Sequence, residues 1–125
     1  MNTDELNQVS HVVIGSAIEV HRILGPGLLE SAYEECLAWE LQQQGLSVQR
    51  QIGIPIQYKE LHIENSYRAD LMVQQELIVE LKSVDSLQPI HTAQLLTYLK
   101  LTNLHLGLIT QLQGSRDAKR HQTYC

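Results

Sequence analysis

Two short segments separated by three turn residues constrain the fold of this chain more than any other feature. Residues 67–73 (Tyr-Arg-Ala-Asp-Leu-Met-Val) and 77–83 (Leu-Ile-Val-Glu-Leu-Lys-Ser) each have the composition of a strand. The residues between them, 74–76 (Gln-Gln-Glu), have the length of a hairpin loop. We therefore predict a β-hairpin in which Val73 pairs with Leu77.

This hairpin brings three ionisable side chains together. In the predicted register Asp70 lies directly opposite Glu80, and Glu80 shares a face with Lys82 because side chains alternate along a strand. Buried charges are costly unless they are paired or bound to a metal. Two carboxylates beside a lysine suit an oxygen-preferring divalent cation such as Mg²⁺ or Mn²⁺ and an activated water. The simpler alternative is a structural ion pair of Lys82 with Glu80 or Asp70.

In the metal hypothesis each of these residues has a role. Asp70 and Glu80 hold the cation, and waters and a backbone carbonyl such as that of Leu81 complete its coordination. The metal polarises a phosphoryl oxygen and lowers the pKa of a bound water. Lys82 orients the nucleophile or stabilises developing negative charge.

A polar stripe is predicted on the helix that follows the hairpin. Pro89 is a favoured first helical residue, and the helix is expected to extend to about Leu101. His91, Gln94 and Tyr98 recur at steps of three and four and therefore share one helical face. The stripe can orient the site and contact phosphate or a base, although a solvated helix face explains the spacing equally well.

Glu30 is a further candidate acid. It lies near the start of a predicted second helix at about 29–44, after a helix-breaking Gly-Pro-Gly at 25–27. The apolar stripe of this helix is predicted to consist of Leu29, Tyr33, Leu37 and Leu41. An acid in the first turn is favoured by the helix dipole, which is the plain explanation. The functional alternative is a metal-side or water-positioning carboxylate. The glycines do not form a phosphate loop, because no Gly-Lys-Ser/Thr follows them.

Composition favours one soluble domain. The chain has 125 residues, of which 43% are hydrophobic and 18% charged, and this suffices for a single core. No apolar run is long enough to span a bilayer and no charged-then-apolar leader is present, so we expect a cytoplasmic protein. The two cysteines, Cys36 and Cys125, make no disulfide framework. Neither lies beside another Cys or His at the spacing of a zinc site. The net charge of −5 argues against broad coating of nucleic acid but is compatible with a small positive groove.

The hydrophobic periodicity changes from helical to strand-like after the second helix. A first helix is predicted from the capping residue Asn2 to about Leu24. The predicted strands are 47–58 with a bend at Gly53 and Pro55, 61–73 with an interruption at Asn65-Ser66, 77–84, and 104–112. The predicted order is α-α-β-β-β-α-β, an α/β or α+β fold with a mixed central sheet flanked by helices. We expect one domain at 1–113 and a polar tail at 114–125, in which Arg116, Lys119 and Arg120 form a small basic group.

Part of this pattern resembles the GxxExxY family of the PD-(D/E)XK nuclease superfamily. Gly27, Glu30 and Tyr33 match the motif for which the family is named. The resemblance extends from about Val9 to Ile109, which is most of the chain.

The hairpin and the third helix carry the rest of the resemblance. Asp70 and the sequence Glu-Leu-Lys at 80–82 are similar to the metal-binding and catalytic signature of the superfamily. Ala69 stands where the superfamily's name has a proline, a departure that leaves the chemistry intact. Gln94 and Tyr98 resemble the Q-x-x-x-Y element of the RecB-like branch.

The resemblance implies a restriction-endonuclease-like core and Mg²⁺-dependent cleavage of phosphodiester bonds. The implied roles are metal ligand for Asp70 and Glu80, catalytic lysine for Lys82, auxiliary acid for Glu30, and support of the substrate or site geometry for Gln94 and Tyr98. We therefore expect a metal-dependent, nuclease-like protein that acts on DNA, with RNA as the alternative substrate. A catalytically silent module that keeps the fold for nucleic-acid binding or protein assembly is the alternative. A homodimer would enlarge the groove available to a duplex.

Overall fold

A computed structural model describes residues 1–25, 27, 29–84 and 86–112, and the backbone of 121–124. Its elements are α1 (Thr3–Leu24), α2 (Glu30–Gln43), β1 (Val48–Tyr58), β2 (Leu61–Val73), β3 (Leu77–Lys82), α3 (Pro89–Thr102), β4 (Leu106–Gln111) and β5 (His121–Tyr124). The strands form one sheet in the order β1-β2-β3-β4-β5, in which only β3 and β4 run parallel. The predicted mixed sheet with flanking helices is confirmed, and it is consistent with a restriction-endonuclease-like core.

Strand β5 lies within the segment that the sequence analysis treats as a polar tail. Its backbone pairs antiparallel with β4, from Gly107 opposite Tyr124 to Thr110 opposite His121. The sequence His-Gln-Thr-Tyr offers neither an apolar run nor an alternation, so the pattern does not indicate a strand there. Residues 113–120, with the basic group of the predicted tail, lie outside the described residues, and the domain boundary at 113 stays a prediction.

The helix boundaries agree closely with the predicted ones. Helix α1 begins after Asn2, whose side chain accepts a hydrogen bond from the Glu5 backbone N–H at 2.8 Å. Helix α2 begins at Glu30, one residue later than predicted. Leu29 therefore precedes the helix and is 73% exposed, so its predicted place on the apolar stripe is wrong. In the part of the chain that the structure describes, none of the helices combines the length and hydrophobicity needed to cross a membrane.

The sheet is covered on both faces. Helices α1 and α2 pack on one face, over a core that includes Leu71, Val79 and Leu81. Helix α3 packs on the other face, where Ile78 belongs to a second buried cluster. Burial on both faces explains why β3 is an almost continuous apolar run. Glu80 is the exception, because it is a charged residue buried in this central strand.

Strand β1 is continuous, and its pairing with β2 is irregular where the sequence predicts a bend. The register shifts between Ile54 and Ile56, on either side of Pro55. Asn65 in β2 adopts φ 51°, and its side chain occupies the space that a β-carbon at Gly53 would need. A residue larger than glycine at position 53 would therefore require the Asn65 side chain to move.

The packing of α3 on β4 predicts that Gly107→Ala destabilises the protein by about 1–3 kcal/mol, the usual cost of overpacking a core. A β-carbon at Gly107 would lie 2.9 Å from both δ carbons of Leu95, which is fully buried. Urea denaturation measures the change. Gly15→Ala is the control, because no atom lies within 4 Å of the added carbon and alanine in a helix is favoured by about 0.5–1 kcal/mol. Equal midpoints for Gly107→Ala and wild type would contradict the described packing.

Candidate active site

The two hairpin carboxylates meet where β2 and β3 separate. Pairing begins with the predicted pair Val73–Leu77 and continues in the predicted register for three pairs. The next pair would place Asp70 opposite Glu80, but the backbone ladder ends before it. The predicted register is therefore confirmed for these three pairs, and at Asp70 and Glu80 side-chain hydrogen bonds take over the contact between the strands.

Side-chain oxygens replace backbone carbonyls at this point of the sheet. The Asp70 backbone N–H donates to Glu80 Oε1 at 2.9 Å, and the Leu81 backbone N–H donates to Asp70 Oδ2 at 2.8 Å. Each carboxylate thus accepts a hydrogen bond from the opposite strand. The two bonds fix both carboxylates at the same edge of the hairpin, as the metal hypothesis requires.

Strand β2 changes face at Asp70. Leu71 belongs to the core beneath α1 and α2, whereas Ala69 belongs to the cluster beneath α3. Residues two apart in a regular strand share a face, so the alternation is broken between these positions. Asp70 consequently lines a pocket beside α2 instead of lying in the α3 core.

Lys82 lies beside Glu80, as predicted. The Lys82 Nζ atom is 3.5 Å from Glu80 Oε2, and the side chains are 23% and 4% exposed, respectively. The ion pair of the simpler alternative therefore exists. It supplies one positive charge for two neighbouring carboxylates.

Burial and neighbouring charge both change the acidity of the two carboxyls. Burial, the largest cause, and the charge of Asp70 raise the pKa of Glu80 to about 7, against the Asp70 N–H and Lys82, which lower it. Burial also raises the pKa of Asp70, against the Leu81 N–H that lowers it, with smaller increases from Glu34 and Glu30 and a decrease from Lys82. A cation bound here would relieve this repulsion.

A pocket of about 310 Å³ opens beside these carboxylates. Its lining residues are Glu30, Ser31, Glu34, Gln51, Asp70 and Leu81. Glu30 Oε2 accepts a hydrogen bond from the Ser83 backbone N–H at 3.0 Å. The predicted auxiliary acid therefore connects the start of α2 to the end of β3, and it does more than favour its own helix dipole.

Glu34 is a site residue that the sequence analysis missed. It is buried, it lines the pocket, and its charge raises the pKa of Asp70. The signal was its spacing, because Glu34 lies four residues after Glu30 and so shares its helix face. Taken alone, Glu-Glu at 34–35 looks like an ordinary solvated helix surface.

The predicted stripe on α3 is only partly brought to the site. Tyr98 is 4% exposed. Burial and the charges of Glu80 and Asp70 raise its pKa to about 12. His91 Nδ1 instead accepts a hydrogen bond from the Gln88 backbone N–H and caps the helix. Gln94, which lies between these two residues in the sequence, is partly buried. The substrate-binding roles of His91, Gln94 and Tyr98 stay predictions.

The oxygens of Asp70 and Glu80 are ligands of the kind that hard divalent cations take. Within the described residues, no three His, Cys, Asp or Glu side chains are placed to share a metal. Mg²⁺ keeps several waters and needs only one or two protein carboxylates. Asp70, Glu80 and the backbone of Leu81 can provide such a set, and a cation bound there would offset the burial that raises the pKa of both carboxyls.

A larger pocket of about 440 Å³ lies elsewhere, between α1 and α2. It is lined by Val20, Ile23, Leu24, Glu35, Cys36, Trp39 and Glu40. Five of its seven lining residues are apolar, whereas three of the six residues that line the smaller pocket are carboxylates. The chemistry of the chain therefore points to the smaller, polar pocket.

Comparison with known proteins identifies the superfamily of the chain. Residues 7–121 match the model of the PD-(D/E)XK nuclease superfamily. The match covers most of the chain, and the chain therefore belongs to this superfamily and is nuclease-like. Searches of the curated proteins and of the solved structures give no match.

The raised pKa of Glu80 predicts how stability depends on pH in metal-free buffer. A carboxyl with a higher pKa in the folded state than in the unfolded state favours folding when it is protonated. Its stabilisation is therefore present at low pH and lost as the pH rises through about 7. Relative to Glu80→Gln, wild type should lose about 3 kcal/mol of unfolding free energy between pH 4.5 and pH 8.

Urea denaturation across this pH range tests the expectation. Glu35→Gln is the matched control, because Glu35 is an exposed glutamate of α2 and its removal should leave the pH dependence unchanged. If Glu80→Gln and wild type lose stability in parallel, Glu80 does not carry the charge imbalance described above.

Proposed function

We propose that this chain is a nuclease that requires Mg²⁺ or Mn²⁺ and hydrolyses phosphodiester bonds in nucleic acid, with DNA preferred to RNA. One observation carries the proposal: Asp70 and Glu80 are fixed side by side at the end of a strand pair, with Lys82 3.5 Å from Glu80. Superfamily membership supports the same reaction class.

The proposed metal ligands are Asp70, Glu80 and the backbone carbonyl of Leu81. When bound, the cation supplies charge that polarises a phosphoryl oxygen and acidifies a water. Asp70 and Glu80 are already held by backbone N–H groups of the facing strand. Little reorganisation of these two side chains is then needed on metal binding.

Lys82 and Tyr98 contribute different chemistry. Lys82 Nζ lies next to Glu80 and can stabilise negative charge that develops on the phosphate or on the attacking water. Tyr98, with a pKa of about 12, keeps its hydroxyl proton at neutral pH. It therefore acts as a hydrogen-bonding and positioning group and not as a base.

Several finer assignments belong to this proposal. The motif at Gly27, Glu30 and Tyr33 supports placement in the GxxExxY group, and Gln94 with Tyr98 supports the RecB-like branch. Glu30, bonded to the Ser83 N–H at the pocket edge, is the proposed auxiliary acid. A cytoplasmic location and a homodimer that widens the binding groove complete the proposal.

A catalytically silent binding or assembly module is the second candidate. The observation in its favour is the charge of the site, because Glu30, Glu34 and Asp70 all line one pocket in a chain whose net charge is −5. Such a surface repels a nucleic-acid backbone unless cations compensate it.

The nuclease proposal predicts cleavage of a panel of single- and double-stranded DNA and RNA in Mg²⁺ or Mn²⁺. Asp70→Ala and Lys82→Ala should each lower the cleavage rate at least about 100-fold, since each removes charge that acts on the reacting phosphate. Gel assays with end-labelled substrates measure the rate. Asp4→Ala and Lys100→Ala change exposed residues of α1 and α3 and should keep wild-type activity.

Calorimetric titration with Mn²⁺ separates the two candidates. Wild type should bind Mn²⁺ at millimolar concentration or below, and Asp70→Ala should not. Metal binding without cleavage of any substrate would favour the silent module. Cleavage that persists in both site variants would show that the activity does not come from this site.

A further inference from the structure

Two neighbouring residues of β1 hold one buried carboxylate. Arg50 Nε donates to Glu34 Oε2 at 3.0 Å, and Gln51 Nε2 donates to Glu34 Oε1 at 2.6 Å. Both oxygens of Glu34 are therefore engaged by strand β1. This contact joins α2 to the edge of the sheet beside the pocket.

The contact depends on an unusual backbone conformation. Successive side chains of a regular strand point to opposite faces, yet Arg50 and Gln51 reach the same carboxylate. Gln51 adopts φ 53°, a left-handed conformation that is uncommon for a residue other than glycine. Strain of this kind persists only where surrounding contacts hold it, and it is frequent at functional sites.

The contact leaves part of the Arg50 side chain available to a ligand. The Arg50 side chain is 42% exposed, whereas that of Glu34 is 6% exposed. A guanidinium has five N–H groups in a rigid plane, and the bond to Glu34 uses the one on Nε. The remaining edge has the geometry that binds phosphate oxygens in pairs.

The negative charge of the pocket means that a cationic side chain is needed to bind a phosphate there. Glu30, Glu34 and Asp70 line the pocket, so a phosphodiester approaching it meets negative charge. Lys82 is paired with Glu80. Arg50 is placed differently. Its position is fixed by Glu34, which lines the pocket, and its side chain is partly exposed.

We propose that Arg50 binds a phosphate of the nucleic-acid substrate and that Glu34 is the residue that positions its guanidinium. This inference rests on the proposed nuclease function. It places a contact to a phosphate of the nucleic-acid backbone at this pocket, next to the proposed metal ligands. Gln51 contributes by holding the second oxygen of Glu34, so that the carboxylate cannot turn away from Arg50.

The test is the binding of fluorescein-labelled DNA, single- and double-stranded, measured by anisotropy. Ca²⁺ replaces Mg²⁺ because it takes the same oxygen ligands. Arg50→Gln should weaken binding roughly 10-fold on all sequences, and the slope of log affinity against log salt should fall by about one phosphate contact. Arg50→Lys keeps the charge without the planar fork and should fall between Arg50→Gln and wild type.

Arg22→Gln is the matched control. Arg22 also donates through Nε to a glutamate, Glu19, at 3.1 Å, but this pair lies on α1 and its members do not line the pocket. The Arg22→Gln substitution should leave unchanged both the affinity for DNA and the slope of log affinity against log salt.

Arg50→Gln leaves a buried carboxylate without its cation, and this can unfold the protein. The double variant Glu34→Gln/Arg50→Gln removes both charges and should fold, as circular dichroism and thermal melting will show. It should bind DNA as weakly as Arg50→Gln does. Glu34→Gln alone keeps the charge of Arg50 and should lower affinity less, with an unchanged salt slope.

The outcomes separate this inference from the nuclease proposal. Wild type that cleaves DNA, together with folded Arg50 variants that bind DNA with wild-type affinity and slope, overturns the role of Arg50 alone. A lower melting temperature with unchanged DNA binding likewise assigns the pair a structural role only. Wild type that neither binds nor cleaves nucleic acid overturns both proposals.

Discussion

The exchange of hydrogen bonds between Asp70 and the facing strand organises the whole site. Backbone pairing between β2 and β3 ends just before Asp70, and carboxylate oxygens then accept the N–H groups that carbonyls would otherwise accept. The backbone of the sheet is thus satisfied by the same atoms that are proposed to hold a metal. The hydrogen bonds that join β2 to β3 at this point are therefore the same bonds that position the carboxylates of the site.

Helix α2 connects the site to the hydrophobic core. Tyr33 and Leu37 on one side of the helix are buried against the sheet and α1. Glu30 and Glu34, on the pocket side, contact Ser83 and strand β1. The position of two acids is therefore set by apolar packing, which explains how a small domain can hold several like charges close together.

Sequence reasoning recovered the hairpin because turn length and strand composition fix its register. It predicted that Asp70, Glu80 and Lys82 lie close together, as they do in the structure, because charged residues in an apolar strand are conspicuous. It missed Glu34, since the spacing of Glu34 from Glu30 is equally typical of a solvated helix surface and nothing in the sequence indicates that strand β1 covers it. It also placed Leu29 on the apolar stripe of the second helix, although the helix begins one residue later. These errors share one cause: each depends on backbone geometry that tertiary contacts determine.

The Asp70 and Leu81 amides have a property that ordinary sheet amides lack. Their hydrogen-bond acceptors are carboxylates that gain a proton or a cation when conditions change. The electron density on those oxygens, and with it the strength of each bond, then changes as well. In a nitrogen–proton correlation spectrum, these two backbone signals would thus report the ionisation state and occupancy of the site from within the sheet itself.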